Sequence, residues 1–328
     1  MGNALTELRI HGDTAVRPYG DIFGTSEFTE TVEPSPLGEI AREVFASEIE
    51  AARRTGNLGY MARVLAQVTL PHSRPEGNEY VRHNGRLTLS VLSPSHVGLP
   101  YGGLPRIILS WLTTEAVRTR DRTLVLGPTL TRFMSEIGLD STGGQWGTIN
   151  RFQSQLRRLL ASRIFCTFDG DHSAMGAGLD VASRYQLWWD PKDPHQATLW
   201  QSTVTLGEEF FNEIIDHPVP IDTAALRLLK RSPLALDLYV WMTYRYSYLA
   251  KPVTIPWPSL YGQFGADYAR LRKFREKLNE ALTKVHALYP EARFDITDGG
   301  LCCQPDKMMT AQTLSLMTSR DRVVARRR

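Results

Sequence analysis

One order of secondary-structure patterns occurs twice in this chain of 328 residues. The first copy starts at Leu99 and runs helix, short strand, helix, turn, helix and hairpin, and it contains the stretch TGGQWGTINRFQSQLRRLLASRIFCTFDG (142–170). The second copy starts in DTAALRLLKRSPLALDLYVWMTYRYSYL (222–249) and ends in a hairpin that turns at residues 298–300. A helix-turn-helix followed by a β-hairpin has this order, so the sequence predicts an α+β protein with two such units.

Regions of different composition surround the two copies. Apolar positions between Ile40 and Val68 predict helix, interrupted near RTGNLG, and the alternation in LTLSVLS (87–93) predicts a strand, so an N-terminal helical and strand annex is expected. The segment DHPVPID (216–222) is typical of a boundary. The predicted divisions are a partly flexible acidic region, two domains and a basic tail, at residues 1–57, 58–215, 216–310 and 311–328.

Positive charge is unevenly distributed along the chain. The net charge is only +3, but residues 223–289 contain 11 Lys and Arg against 4 Asp and Glu, and the tail ends in SRDRVVARRR. The first 60 residues are acid-rich by contrast. A basic segment of this kind indicates an anionic partner such as nucleic acid.

The last helix of each copy is predicted to be amphipathic. In the first, Ile149, Phe152, Leu156, Leu159 and Leu160 form an apolar stripe, and the opposite side carries Gly147, Asn150, Arg151, Ser154, Gln155 and Arg158. In the second, the stripe is Leu271, Phe274, Leu278, Ala281, Leu282 and Val285. Glu276 and Glu280 restrict a phosphate-binding face there to the first turns, from Asp267 to Lys277.

These polar faces have the side chains that read DNA. Arg, Asn and Gln can hydrogen-bond base edges in the major groove, and Lys, Arg and backbone amides hold phosphates. Solvated faces of ordinary core helices are the alternative, and the repetition of the unit favours DNA binding. The candidate DNA-binding residues are Gly144, Gln145, Thr148, Asn150, Arg151, Ser154, Arg157, Arg158, Tyr268, Arg270, Arg272, Lys273 and Lys277.

Several function classes are disfavoured. The chain has no His-x-His triplet and no Walker A loop, so a nicking enzyme or an ATPase is not expected. Its 3 cysteines form no zinc-type spacing, and DGDHS (169–173) is interpreted as a solvated turn, so we predict no metal and no cofactor. Short apolar runs and the absence of a secretion-signal pattern lead us to expect a cytosolic protein without a membrane span.

Ordered blocks between Leu58 and Lys307 resemble a known family. The blocks LPYGGLPRIILSWLTTEAVRTRDRTLVLG (99–127), FMSEIGLDSTGGQWGTINRFQSQLRRLLASRI (133–164), SPLALDLYVWMTYRYSYL (232–249) and YARLRKFREKLNEAL (268–282) are similar to plasmid-encoded RepA replication initiators. The resemblance implies tandem winged-helix domains in a bacterial cytoplasmic protein that binds direct repeats, called iterons, in double-stranded plasmid origin DNA. It also implies origin opening, copy control, recruitment of the host replicative helicase alongside the host initiator protein, and a possible homodimer.

The resemblance assigns the DNA contacts to particular segments. Residues 142–149 with the following polar face become the first recognition element, and residues 268–277 become the second. The hairpin from Ile164 to Gly170 with its return strand, and the hairpin from Arg293 to Cys303, become wings. A winged-helix transcriptional regulator or autorepressor without initiator activity is the alternative. Direct repeats beside an A·T-rich segment would favour the initiator, and an inverted repeat would favour the regulator.

Overall fold

A computed structural model describes residues 54–143, 147–169, 174–189, 201–249, 251–265 and 268–305. These residues form a mixed helix-and-sheet protein with nine helices and several small antiparallel sheets. The helices are α1 (Arg63–Gln67), α2 (Gly103–Thr119), α3 (Leu130–Glu136), α4 (Thr148–Leu160), α5 (Glu208–Asp216), α6 (Thr223–Leu229), α7 (Pro233–Tyr246), α8 (Trp257–Phe264) and α9 (Leu271–His286). The strands are β1 (Leu58–Ala62), β2 (Glu79–Asn84), β3 (Leu87–Leu92), β4 (Thr123–Val125), β5 (Arg163–Asp169), β6 (Ala174–Asp180), β7 (Ala182–Gln186), β8 (Thr203–Leu206), β9 (Pro218–Asp222), β10 (Val253–Pro256), β11 (Arg293–Ile296) and β12 (Gly300–Gln304).

An aromatic cluster centred on Phe133 packs the three helices of the first unit together. Phe133 of α3 is fully buried, and its ring centre lies 4.8 Å from that of Trp111 on α2 and 5.7 Å from that of Phe152 on α4. Trp189, which follows β7, stacks on the same ring at 5.5 Å. Because large aromatic side chains bury much apolar area, this cluster holds α4 against α2 and α3.

Two separate sheets accompany the first unit. Hairpin β5–β6 joins the annex strands in the order β2-β3-β5-β6, with Cys166 paired to both Leu89 and Ala177 on the buried side. The short strand β4 pairs instead with β8, in a sheet of order β4-β8-β7. The strand predicted at residues 87–93 is confirmed as β3, and it lies next to the hairpin that the sequence indicated as a wing.

The second unit has a single sheet of order β10-β12-β11. Gly300 begins β12 so close to β10 that a Cβ atom there would lie 1.9 Å from the carbonyl oxygen of Ile255. Trp257, the first residue of α8, donates its indole N–H to the carbonyl oxygen of Thr297 at 3.1 Å. These contacts fasten the turn of the β11–β12 hairpin to α8, beside the start of α9.

Two local predictions were wrong. The apolar run around Met61 is strand β1 followed by the short helix α1, where helix alone was expected. The stretch 222–249 contains two helices, since Pro233 starts a new helix after a break at 230–232. The loose segment 216–222 contains β9, which pairs antiparallel with β1 through Tyr60 and Pro220. The four-part domain division stays a prediction, and residues 1–53 and 306–328 lie outside the described ranges.

A buried ion pair connects the two units. Arg106 of α2 donates from Nε and Nη2 to the two carboxylate oxygens of Asp237 on α7, both at 2.6 Å. The same guanidinium donates to the carbonyl oxygens of Leu70, Pro71 and Gly102. Burial by itself would raise the pKa of Asp237, but Arg106 and His72 hold that pKa below its usual value. Asp237 is therefore a buried carboxylate whose charge depends on these partners.

Removing this carboxylate should destabilise the protein strongly. We expect Asp237→Ala to lower the free energy of unfolding by about 3–5 kcal/mol, because Arg106 would stay buried without its counter-charge. Urea unfolding followed by tryptophan fluorescence measures the change. The control is Glu115→Ala, which removes a carboxylate from the exposed pair with Arg118 and should cost at most about 1 kcal/mol. Equal losses in the two variants would contradict a special role for the buried pair.

Candidate nucleic-acid interface

Two threonines close the loop that leads into α4. The backbone N–H of Thr142 donates to the Thr148 hydroxyl at 2.8 Å, and the N–H of Thr148 donates to the Thr142 hydroxyl at 3.1 Å. The Thr148 hydroxyl in turn donates to the carbonyl oxygen of Asp140 at 2.5 Å. This threonine clasp fixes both ends of the glycine-containing loop, although Gly144 and Gln145 themselves lie outside the described residues. Thr148, a candidate DNA contact, therefore holds the loop in place.

The face of α4 largely agrees with the prediction. The apolar stripe from Ile149 to Leu160 is buried, and Asn150, Arg151, Ser154 and Arg157 are exposed. Gln155, placed on the polar side by its spacing, is buried, and its side-chain oxygen accepts the backbone N–H of Tyr101 at 2.9 Å. That assignment was wrong because the segment preceding α2 covers this part of the helix.

Arg158 is held by the protein itself. Its guanidinium donates to the carbonyl oxygen of Leu99 at 3.1 Å and lies over the ring of Tyr101, 5.5 Å from the ring centre. A Cβ atom at Gly98 would lie 2.7 Å from the same guanidinium. Arg158 thus anchors the 98–101 segment to α4. Arg151 and Arg157 make no ion pair with any residue in the described ranges, so their charges are available at the surface.

The start of α9 differs from the prediction. The helix begins at Leu271 with Arg270 as its cap, so Tyr268 precedes it. Tyr268 is half-buried, its ring lies 5.7 Å from that of Phe274, and its carbonyl oxygen accepts the Tyr261 hydroxyl. Leu271 was predicted to begin the buried stripe, but it is 39% exposed. The buried stripe starts one turn later, at Phe274.

Acidic neighbours partly neutralise the cations of α9. The Nζ atom of Lys273 lies 2.8 Å from a carboxylate oxygen of Glu276, and that of Lys277 lies 2.7 Å from one of Glu280. These hydrogen bonds lower the pKa values of both glutamates. Arg272 lies 3.9 Å from Glu276, whereas Arg270 makes no ion pair in the described part of the chain. Pairs this exposed are weak, so a polyanion can compete for the cations.

The sequence did not predict that the second half of the chain supports the first recognition segment. Arg227 of α6 donates to the carbonyl oxygen of Glu136 at 3.0 Å, and Lys230 donates to that of Gly138 at 3.0 Å. The Glu136 carbonyl ends α3, and that of Gly138 lies in the turn that follows the helix. The contact from Arg227 also satisfies a carbonyl group that a helix end leaves without an intrahelical partner. A basic residue in a second-half helix was the only sequence signal available.

The described residues offer no metal cluster and no membrane-spanning helix. No group of three or more His, Cys, Asp or Glu side chains could hold a metal ion among the residues that the structure describes. The residues Asp171 and His172 lie outside that part, so the absence of a metal or cofactor stays a prediction. None of the described helices is long and apolar enough to cross a membrane.

The fold and the two exposed cationic helix faces define a class: a mixed helix-and-sheet protein with a candidate nucleic-acid interface on each of two units. Residues 99–258 match the family described as Plasmid encoded RepA protein. This match confirms the predicted resemblance over these residues and supports a role in replication initiation.

Two solved structures are similar to the chain. A crystal structure of RctB domains 2-3 is 12% identical with a TM-score of 0.46, covering 76% of this chain and 99% of that chain. A selenomethionine derivative of domain 2 and domain 3 of RctB is 11% identical with a TM-score of 0.48, covering 74% of this chain and 96% of that chain. The search of curated proteins found no match.

Breaking the threonine clasp should loosen the start of α4. We expect Thr142→Val to speed amide hydrogen exchange at residues 148–151 about fivefold, equivalent to about 1 kcal/mol for a lost capping hydrogen bond. Hydrogen exchange measured by mass spectrometry reports the change. Thr119→Val is the control, because it removes a hydroxyl that also bonds local backbone, at the end of α2. Unchanged exchange at 148–151 in Thr142→Val would show that the clasp does not hold the helix start.

Proposed function

We propose that the chain is a non-enzymatic, sequence-specific DNA-binding protein that initiates plasmid replication by binding direct repeats at the origin. The observation that carries the proposal is the exposed cationic face on α4 and on α9, within a chain that matches plasmid-encoded RepA proteins over residues 99–258. The proposal includes two winged-helix domains, at residues 58–215 and 216–310, with α4 and α9 as recognition helices.

Strand pairing supports the winged-helix interpretation and revises one assignment. In the second unit β10, the strand between α7 and α8, pairs with β12, the second strand of the hairpin. In the first unit β4 pairs in the same way with the second strand of hairpin β7–β8. The pairing therefore favours β7–β8 as the first wing, in place of the β5–β6 hairpin that the sequence indicated. Hairpin β5–β6 instead extends the annex sheet.

The exposed side chains suit a division of roles on DNA. Arg151 and Asn150 occupy the first turn of α4, the part of a recognition helix that faces base edges. Arg157 lies nearer the end of the helix, where a phosphate contact fits better. On α9, Arg270 and Arg272 flank the helix start, and Lys273 follows them. Thr148 and Arg158 would position the loop and the helix, since both are used in internal contacts.

The remaining roles come from the family resemblance. They are opening of A·T-rich DNA, recruitment of the host helicase with the host initiator protein, copy control and homodimer formation, in the bacterial cytoplasm. No metal, cofactor or membrane contact enters the proposal. A winged-helix regulator without initiator activity is the second candidate, favoured by the same two helix faces. An A·T-rich segment beside the bound repeats that becomes sensitive to permanganate on addition of protein supports the initiator over the regulator.

The test is fluorescence anisotropy with purified protein. A duplex that carries the direct repeats nearest the gene is compared with a shuffled duplex across a salt series. We expect a preference for the repeats of about a thousandfold or more, and a steep decrease of affinity with salt. Equal affinity for the two duplexes at every salt concentration would contradict sequence-specific binding.

Single substitutions should show whether cations on α4 and α9 contribute more to DNA binding than a cation elsewhere on the surface. Arg151→Ala and Lys273→Ala are each expected to weaken binding to the repeats by about 1–3 kcal/mol if the side chain contacts a base. The matched control is Arg118→Ala, because Arg118 pairs with Glu115 three residues away, as Lys273 pairs with Glu276. Anisotropy on the repeat duplex measures all three variants. Unchanged affinity for both test variants would mean that α4 and α9 do not face the DNA.

A further inference from the structure

A groove with a volume of about 310 Å³ lies beside α9, and none of the predicted functions accounts for it. One wall is α9, with Tyr268 in front of the helix and with Lys277 and Lys284 along it. The other wall is the break between α6 and α7 with the first turn of α7, residues 231–234. His72 and Ser73, from the segment after α1, line the same space. We call it the α7–α9 groove.

The charges in the α7–α9 groove are mainly positive. Lys277 is paired with Glu280, the one acidic residue of the lining. Arg231 and Lys284 are exposed and make no ion pair within the described ranges. After Lys277 and Glu280 neutralise each other, these two cations determine the charge that an occupant meets. An anionic group is therefore favoured.

The start of α7 adds backbone donors to the groove. The helix is 14 residues long, its cap Ser232 makes no side-chain capping hydrogen bond, and Pro233 occupies the first position. The amides of Leu234 and the following residue therefore have no partner inside the helix. Free amides and the positive end of a helix dipole together bind phosphate groups.

His72 supplies an independent sign of an absent partner. Its side chain is only 8% exposed, and its Nε2 atom lies 2.8 Å from a carboxylate oxygen of Asp237. Its Nδ1 atom is buried and has no hydrogen-bond partner among the described residues. Buried polar atoms are nearly always satisfied, by protein, water or ligand. The unpartnered nitrogen belongs to a ring that lines the α7–α9 groove.

We propose that the α7–α9 groove holds one backbone phosphate of the DNA that lies on α9, through Lys284, Arg231 and the first amides of α7, beside the His72 ring. The inference rests on the proposed function and extends it to a second side of the α9 contact. Tyr268 and Lys277 belong both to the groove and to the segment predicted to touch DNA, so a duplex along that segment brings a phosphate strand to the groove. The volume accommodates a phosphate group with several waters.

A phosphate contact has a distinct experimental signature. It weakens binding to every sequence by the same factor when lost, and it lowers the slope of log affinity against log salt by about 0.9 per phosphate. We expect the double variant Arg231→Gln/Lys284→Gln to lose about tenfold in affinity on both the repeat duplex and the shuffled duplex, with the slope reduced by about 1. Arg118→Gln, which removes an exposed cation at the far end of α2, should leave the slope unchanged.

His72→Gln tests the buried ring separately. Glutamine keeps a side-chain N–H that can reach Asp237 and removes the ring that lines the groove, so the expected result is a lower affinity on both duplexes. The melting temperature of each variant is measured alongside. If His72→Gln does not fold, the double variant at two exposed positions still decides the matter.

The outcomes separate the groove from the function. A wild-type protein that binds neither duplex contradicts the proposed function. If the wild type prefers the repeats and the double variant has an unchanged salt slope, the phosphate site in the groove is overturned and the proposed function is not. A loss confined to the repeat duplex also overturns the phosphate site, because a base contact would then be responsible. ADP tests whether the groove binds the phosphate of a free nucleotide instead. If ADP raises the melting temperature of the wild type but not of the double variant, and the salt slope of DNA binding is unchanged in the double variant, the assignment of the groove to a DNA phosphate is overturned.

Discussion

The ion pair between Arg106 and Asp237 is the contact on which the arrangement of the two units depends. A guanidinium and a carboxylate buried together must satisfy all their hydrogen bonds, since an unpaired buried charge costs several kcal/mol. Arg106 does so with the Asp237 carboxylate and three backbone carbonyl oxygens, of which those of Leu70 and Pro71 belong to the segment after α1. The pair therefore joins α2, α7 and that segment at one point. His72 contacts the same carboxylate and lines the groove beside α9, so one buried charge positions a core and a surface site together.

Local periodicity explains what the sequence could predict. An amphipathic stripe depends only on residues within one helix, so the buried faces of α4 and α9 were predictable, as was β3 from its alternation. Distant partners account for what the sequence did not predict. Gln155 is buried because Tyr101, more than 50 residues away, lies on it, and the loose segment at 216–222 becomes a strand because β1 is available to pair with it. The choice of the first wing also depended on strand pairing. Both hairpins follow α4, and only the pairing of β8 with β4 distinguishes them.

The candidate interface shows the same limit. An exposed arginine such as Arg151 was predictable, because α4 places it opposite the apolar stripe. The internal role of Arg158 was not, since nothing in its spacing distinguishes it from Arg157. The α7–α9 groove combines residues near positions 72, 231 and 284, and no local pattern brings these together. Arg227 and Lys230 likewise support the turn before α4 from a helix about 90 residues later in the chain.

The pairing of β1 with β9 has a consequence for synthesis of the protein. The two strands are separated by the entire first unit, and the N–H of Thr223 donates to the carbonyl oxygen of Asn57 at 2.9 Å to complete the junction. On the ribosome, β1 emerges long before its partner β9. Arg106 likewise emerges long before Asp237. The β1–β9 pair can therefore form only when translation has passed into the second unit. We expect folding of the first unit to be completed only after the second unit has been synthesised.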